Sequence, residues 1–203
     1  MAKPNIAMNE PACSDFKSKL REIVKLDPVE ISLFFDRLKK ISVAKGEYII
    51  KAGDISNAIF FVNKGLLRTF LQDEDKEIVT DFFFENEFAG TFTSFLAHQV
   101  TSLNIQSLED TEVLEITSEI LDSAYEENPA WLALGKYIFE IEFLKKRRRE
   151  HSFLRLDARQ RYLALIEQYP QIEQRVALRQ ISSHLRIQPE SLSRIRSGKY
   201  SQN

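Results

Sequence analysis

The chain has almost no thiol or imidazole to work with. Its 203 residues include one cysteine, Cys13, so no intramolecular disulfide can form and no thiolate set for an iron–sulfur cluster can be assembled. The three histidines, His98, His151 and His184, lie far apart, which gives no metal-ligand spacing. No metal or cofactor is expected. A haem-ligand role for His98 stands beside the commoner one of a loop histidine facing solvent. No apolar run approaches the roughly 20 residues of a membrane span, and the start MAKPNIAMNEPAC lacks the apolar stretch of a signal peptide. The expected setting is the cytoplasm, with no membrane partner. There is no nucleophile elbow, Walker loop or dinucleotide fingerprint, and so no sign of an enzyme. Positive charge is also missing from one long stretch: Glu77 through Gly135 contains no lysine or arginine.

What is present is unevenly distributed. Hydrophobic residues make up 43% of the chain, enough for a core in one large or two modest domains. The net charge of −2 conceals a division: residues 145–203 hold 14 of the 28 Lys/Arg and 5 of the 30 Asp/Glu, or +9 against −11 for the remainder. A basic module joined to an acidic one is expected to turn its basic end toward a polyanion.

That basic end contains LRQISSHLRIQPESLSRIRSGK, Leu178 to Lys199. Ile181 and Leu185 share a helix face, Ile187 sits in a turn, and Leu192 and Ile195 share a face of a following helix, the apolar pattern of a helix-turn-helix. Gln188-Pro189-Glu190 is a helix start, with proline at the first position. Glu190, Ser191, Ser193 and Arg194 then point outward, where a DNA major groove could be read. Arg186 stands at the turn where glycine is usual, at a cost of about 1–2 kcal/mol if left-handed.

In chain order, an amphipathic helix is predicted over Ser14–Lys25, with Ser14 as its cap, and a second after Asp27-Pro28, burying Ile31, Phe34, Phe35 and Leu38. From Ile41 to Ile116, short β-branched and aromatic runs are broken by glycine, asparagine and acids, which predicts antiparallel strands. Gly53-Asp54 and Asn63-Lys64-Gly65 read as turns. A short helix over Ser118–Glu126 leads to a long one from Pro129 to about Ser152. The long helix carries two apolar stripes: Trp131, Leu134, Ile138 and Ile141, and Leu132, Phe139 and Phe143. One is expected to pack on the chain's own strands and the other on a partner's identical helix. Trp131, Leu134, Ile138 and Ile141 mark the dimer helix, and Ile138→Lys is expected to yield monomers. KKRRR, Lys145 to Arg149, reads equally as a favourable helix C-terminus and as a phosphate-facing hinge. Asp157 caps a helix over Ala158–Tyr169, and Val176-Ala177-Leu178 is a candidate short strand.

KGEYIIKAGDISNAIFFVNKGLLRTF resembles the opening of the cyclic-nucleotide-binding β-roll, and with the helix-turn-helix the chain from about Leu26 to Lys199 is similar to the Crp/Fnr family of bacterial transcription regulators. The resemblance implies an α+β fold: a jelly-roll-like antiparallel β-roll with flanking helices over 1–128, a long dimerisation helix over 129–152, and a helix-turn-helix domain with a reduced wing over 153–203. It implies a homodimer on palindromic double-stranded DNA, a small-molecule effector, and RNA polymerase as a further partner. By resemblance the family's base-reading glutamate, hydroxyl and arginine fall on Glu190, Ser191 and Arg194. Pro189 takes the place of a further basic reader, and Arg179, Ser193 and Arg196 are candidates for phosphates.

The same resemblance marks Phe88, Gly90, Thr91, Phe92, Thr101 and Ser102 as the effector pocket. Thr91 stands where the family's ribose-binding glutamate would be, and Thr101 where its phosphate-binding arginine would be. Tight cAMP or cGMP binding is therefore not expected. Phe82, Phe83, Phe84, Phe92 and Phe95 suit an apolar effector, although plain core is the simpler role for them. The alternatives are a sensor or interaction module that has lost DNA binding and, disfavoured by the scattered histidines, a cupin-like barrel enzyme.

Overall fold

Short strands with one apolar face must be covered, and here they cover one another. The computed structural model describes residues 10–198. One sheet has the order β1 (Lys39–Val43), β8 (Thr111–Thr117), β3 (Ala58–Lys64) and β6 (Phe88–Ala89); the other runs β2 (Tyr48–Ile50), β7 (Leu103–Ser107), β4 (Leu67–Asp73) and β5 (Lys76–Phe83). All pairings are antiparallel. Ile50, Val62, Leu67, Phe83, Ile105 and Val113 meet between the sheets. The fold is α+β, as expected. Both predicted turn glycines have positive φ, and at Gly65 a Cβ would lie 2.4 Å from Thr111 Oγ1, so no other residue fits without movement.

Helices cover both outer faces. Helices α1 (Glu10–Ile23), α2 (Pro28–Asp36) and α4 (Ser118–Glu127) pack with the long helix α5 (Leu132–Arg155) around Phe16, Phe35, Phe61, Leu114 and Ile116. Asp27 caps α2 by accepting from the Val29 N–H. On the other side, α6 (Ala158–Gln168), α7 (Ile172–Arg175), α8 (Leu178–Leu185) and α9 (Pro189–Arg196) form a core of Tyr162, Leu165, Ile172, Ile181, Leu185, Leu192 and Ile195. That core is continuous with Leu66, Phe70, Val79, Phe82 and Phe84 of the roll.

Several local expectations need correction. Helix α1 begins at Glu10, so Ser14 lies within it and not at its start. The long helix follows a 3₁₀ turn, Pro129–Trp131, and continues to Arg155. Val176–Leu178 forms no strand: Val176 and Ala177 are an extended joint between α7 and α8. Helix α7 was not anticipated, and a short α3 (Phe92–Ala97) starts after Thr91. The expected reduced wing falls largely on residues 199–203, outside the described residues.

Candidate nucleic-acid interface

Helix α8 ends because Arg186 turns left-handed, at φ 57° and ψ 43°. The strained residue is held by backbone bonds: its own N–H donates to the Ser183 carbonyl at 3.1 Å, and the Ile187 N–H to that of Ser182 at 3.0 Å. Helix α9 then starts at Pro189 after an extended Gln188. Leu192 and Ile195 are buried, which fixes the helix's rotation. Pro189, Glu190, Ser193 and Arg194 are exposed on its other side, Ser191 is half-buried, and Arg179 is exposed near the start of α8. Arg196 is partly diverted, since its Nε lies 2.6 Å from Glu173.

The candidate effector residues are not gathered round one open pocket. Phe88 is fully buried in the N-terminal core, in edge contact with Phe16 and Phe61. Phe92 and Phe95 lie against Phe139 of the long helix. Of the remaining phenylalanines, Phe83 sits between the sheets, whereas Phe82 and Phe84 face the C-terminal helices. Five residues expected to suit one apolar effector thus serve three cores. Thr91 precedes α3 with its hydroxyl buried and unpartnered. The Thr101 hydroxyl accepts from the Leu103 N–H, Gly90 continues from β6, and Ser102 is exposed. The roll's buried arginine, Arg68, is bonded to Glu77 and Gln106 and packed over Phe70.

The long helix turns one face inward along its length. Trp131, Leu134 and Ile138 are buried in the chain's own core and Ile141 is partly buried there, which corrects their assignment to a partner-facing seam. Continuing the same stripe, Glu142, Lys145 and Arg149 also point inward. Lys145 Nζ lies 3.1 Å from Asp81 Oδ1 and donates to the Phe82 carbonyl at 3.0 Å. Burial alone would lower the Lys145 pKa, but Asp81 and Glu87 raise it above the ordinary value. Burial lifts the Glu142 carboxyl to about 7. Burial and the neighbouring Arg149 push His184 down to about 3. Lys145 and Arg149 are therefore turned into the molecule, away from the exposed side of the basic run.

The comparisons with known proteins agree with this arrangement. The family model for the cyclic nucleotide-binding domain matches residues 40–128. The transcriptional activator protein anr of Pseudomonas aeruginosa is 35% identical over 86 residues, which is 42% of this chain and 34% of that protein. The c-di-GMP-responsive global regulator CLP of Xanthomonas campestris superposes with a TM-score of 0.67 at 16% identity, over 87% of this chain and 96% of that one. A protein assigned to the Crp/Fnr family from Eubacterium rectale superposes at 0.65 with 20% identity, over 87% and 83%. The chain shares the fold of these regulators, and its residues 40–128 are similar to the cyclic nucleotide-binding domain. It spans about a third of the length of the curated relative it matches.

The chain also contains a clamp that its sequence did not reveal. Arg175, in α7, donates to both carboxylate oxygens of Glu85 (2.7 and 2.8 Å) and to both of Glu109 (2.7 and 2.9 Å). The Ser183 hydroxyl accepts from Val79 N–H and donates to the Glu77 carbonyl, covering the free edge of β5. The only available hint was Arg175 at a predicted helix–strand junction, and its partners lie 66 and 90 residues away. His98 is an exposed left-handed C-cap of α3. No helix of the described residues is long and apolar enough to cross a membrane.

Proposed function

We propose that this chain is a non-catalytic, DNA-binding transcription regulator that acts in the cytoplasm as a homodimer on a palindromic site. The observation that carries the reading is the exposed outer side of α9, on which Glu190, Ser193 and Arg194 stand clear of the fold while Leu192 and Ile195 anchor the helix. In a major groove Arg194 would donate two bonds to guanine, Glu190 would accept from a cytosine amino group, and Ser191 would reach either kind of edge. Arg179 and Ser193 would hold phosphates; Arg196 would join them on leaving Glu173.

The dimer seam moves to the outer side of the long helix. Leu132, Phe143 and Leu144 are each more than half exposed there. A twofold pairing along this face would set two recognition helices toward successive grooves, about 34 Å apart. The roll is not read as a cAMP site: Thr91 and Thr101 replace the charged contacts, and Arg68 is already committed. An effector would act by favouring one placement of the heads over another.

Selection from a random DNA pool tests the reading: a palindromic consensus is expected, with affinity falling as salt rises. Arg194→Ala should cost about 1–3 kcal/mol and relax the preference at one base pair per half-site. A second reading, a sensor module whose heads no longer bind DNA, is favoured by the Arg175 clamp. Absence of salt-dependent retention on DNA of any sequence would select it.

A further inference from the structure

Where the long helix, strand β5 and the C-terminal helices meet, the fold leaves a cleft of about 690 Å³. Six lysine and arginine side chains line it against two carboxylates, Asp81 and Glu167. Asp81 is already taken by Lys145 and, at 3.7 Å, by Lys146. The cleft is therefore strongly cationic.

Three of its guanidinium groups, those of Arg148, Arg149 and Arg161, have no carboxylate within ion-pair distance among the described residues, and of these Arg149 and Arg161 are partly buried. Arg149 donates to the carbonyls of Val79 and His184 at 3.4 and 3.2 Å. Arg161 donates to those of Leu156 and Leu185 at 2.7 and 3.3 Å. Both lie over the ring of Phe153, at 4.9 and 5.0 Å from its centroid, so two like charges share one aromatic side chain. The Nε of Arg161 is buried with no hydrogen-bond partner.

An arginine does not shed its proton to relieve such crowding. His184, 3.0 Å from Arg149, stays neutral instead. Burial pushes the Arg149 pKa down, as do the fields of Arg161 and Arg186, while Asp81 acts against them. An anion with several acceptor oxygens would complement this charge and give the Arg161 Nε a partner. Paired guanidinium forks suit such a group, and the volume is that of a small-molecule site rather than a bare-ion site.

We infer that this cleft binds the phosphate group of a phosphorylated small molecule, held by Arg149 and Arg161 with Lys146 and Arg148 at the rim. The site is separate from the roll's candidate effector residues and from the recognition helix. Its walls belong to both the long helix and the C-terminal helices, so an occupant would bear on how the two are held together.

Calorimetric titration of the full chain, without DNA and at low ionic strength, tests this with inorganic pyrophosphate and glycerol 3-phosphate as probes. Matched additions of chloride serve as the control. One saturable site per chain is expected, weakened about tenfold in Arg161→Gln and less in Arg161→Lys. Lys136→Ala, on the exposed side of the long helix, should leave it unchanged. If Arg161→Gln fails to fold, the double variant of exposed rim residues, Lys146→Gln with Arg148→Gln, should weaken the same site. Saturation should also shift the His184 ring resonance, identified by its loss in His184→Gln, because the anion offsets the field of Arg149. Heats no larger than those of chloride, with His184 unmoved, would overturn the inference. So would binding that survives Arg161→Gln but is lost in Arg194→Ala, which would place the anion on the recognition helix. Because no DNA is present, failure here would leave the DNA-binding reading standing, and failure of that reading would leave this one.

Discussion

The two halves of the long helix bury the same face in opposite ways. In the first half Trp131, Leu134 and Ile138 enter an aromatic core, with Trp131 stacked on Phe34 at 4.3 Å. In the second half the stripe continues through Glu142, Lys145 and Arg149 into a network with Asp81, Glu87 and His184. Apolar burial rewards many packings about equally, at roughly 25 cal/mol per Å². A buried ion pair returns little net energy but penalises any arrangement that separates its members. The first half should therefore hold the helix on the roll, and the second should fix where it sits against β5 and the C-terminal helices.

The largest effect is expected in the first half. Ile138 is fully buried, so Ile138→Lys places an unpaired ammonium in an apolar core and should cost about 5 kcal/mol or more. Chemical denaturation would show a collapsed midpoint; a folded monomer of normal stability would contradict the burial. In the second half, Lys145→Met leaves Asp81 without its nearest cation, holding only the Phe82 N–H at 2.9 Å and the more distant Lys146 at 3.7 Å. The expected loss is about 4 kcal/mol. It should shrink sharply when Asp81→Asn is added, because the cost belongs to the stranded carboxylate. Additive losses in the double variant would mean that the pair is not coupled.

The apolar half was legible in the sequence and the charged half was not, for a physical reason. The spacing of Trp131, Leu134 and Ile138 marks a buried face from local periodicity, although it cannot say whether the cover is the same chain or another. Past Ile138 the stripe continues to Lys145, and periodicity gives no sign that Asp81 lies across the fold from it. The helix-turn-helix was the most legible part: Ile181, Leu185, Leu192 and Ile195 are all buried, Arg186 takes the left-handed turn, and Pro189 opens α9. Those signals act within a few residues. The contacts of Arg149 to His184 and of Ser183 to Val79 span 35 and 104 residues, and nothing near them in sequence announces them. The expected strand at Val176–Leu178 failed because its β-branched residue serves a helix–helix joint.

Titration sharpens the same contrast, since the second half buries Glu142, whose carboxyl changes charge near neutrality. Glu142 rises from an ordinary 4.5 to about 7 in the fold, chiefly through burial, with Asp81 and Glu87 adding to the rise and Lys145 and Lys146 opposing it. The folded state therefore binds the proton more tightly, so this contribution is fully present below about pH 4.5 and is lost as pH rises through 7. The loss is about 3 kcal/mol by pH 8. His184 runs the other way: its neutral form is the one that fits, so its contribution holds above 6.5 and fades as pH falls toward 3. Glu142→Gln keeps the shape and removes one titration, so between about pH 5 and 7 the urea midpoint of the unaltered chain should fall relative to the variant's, with His184 contributing equally to both. Parallel curves for the two would show that Glu142 is not the group responsible.

The smallest effect on stability is expected on the outer side of the helix, where the comparison concerns surfaces and no longer cores. Phe143 is 65% exposed, between the buried Glu142 and Leu144, itself 55% exposed, so replacing it removes little from the monomer's interior. Phe143→Lys should change the unfolding free energy of an isolated chain by no more than about 0.5 kcal/mol. If Leu132, Phe143 and Leu144 meet their twofold copies, the same substitution sets two ammonium groups face to face across a dry seam, and light scattering should show the mass falling to that of one chain. Ile138→Lys cannot make this test, because it breaks the fold first. A Phe143→Lys chain that keeps the mass of a dimer would move the seam off this face, and with it the spacing assigned to the two recognition helices.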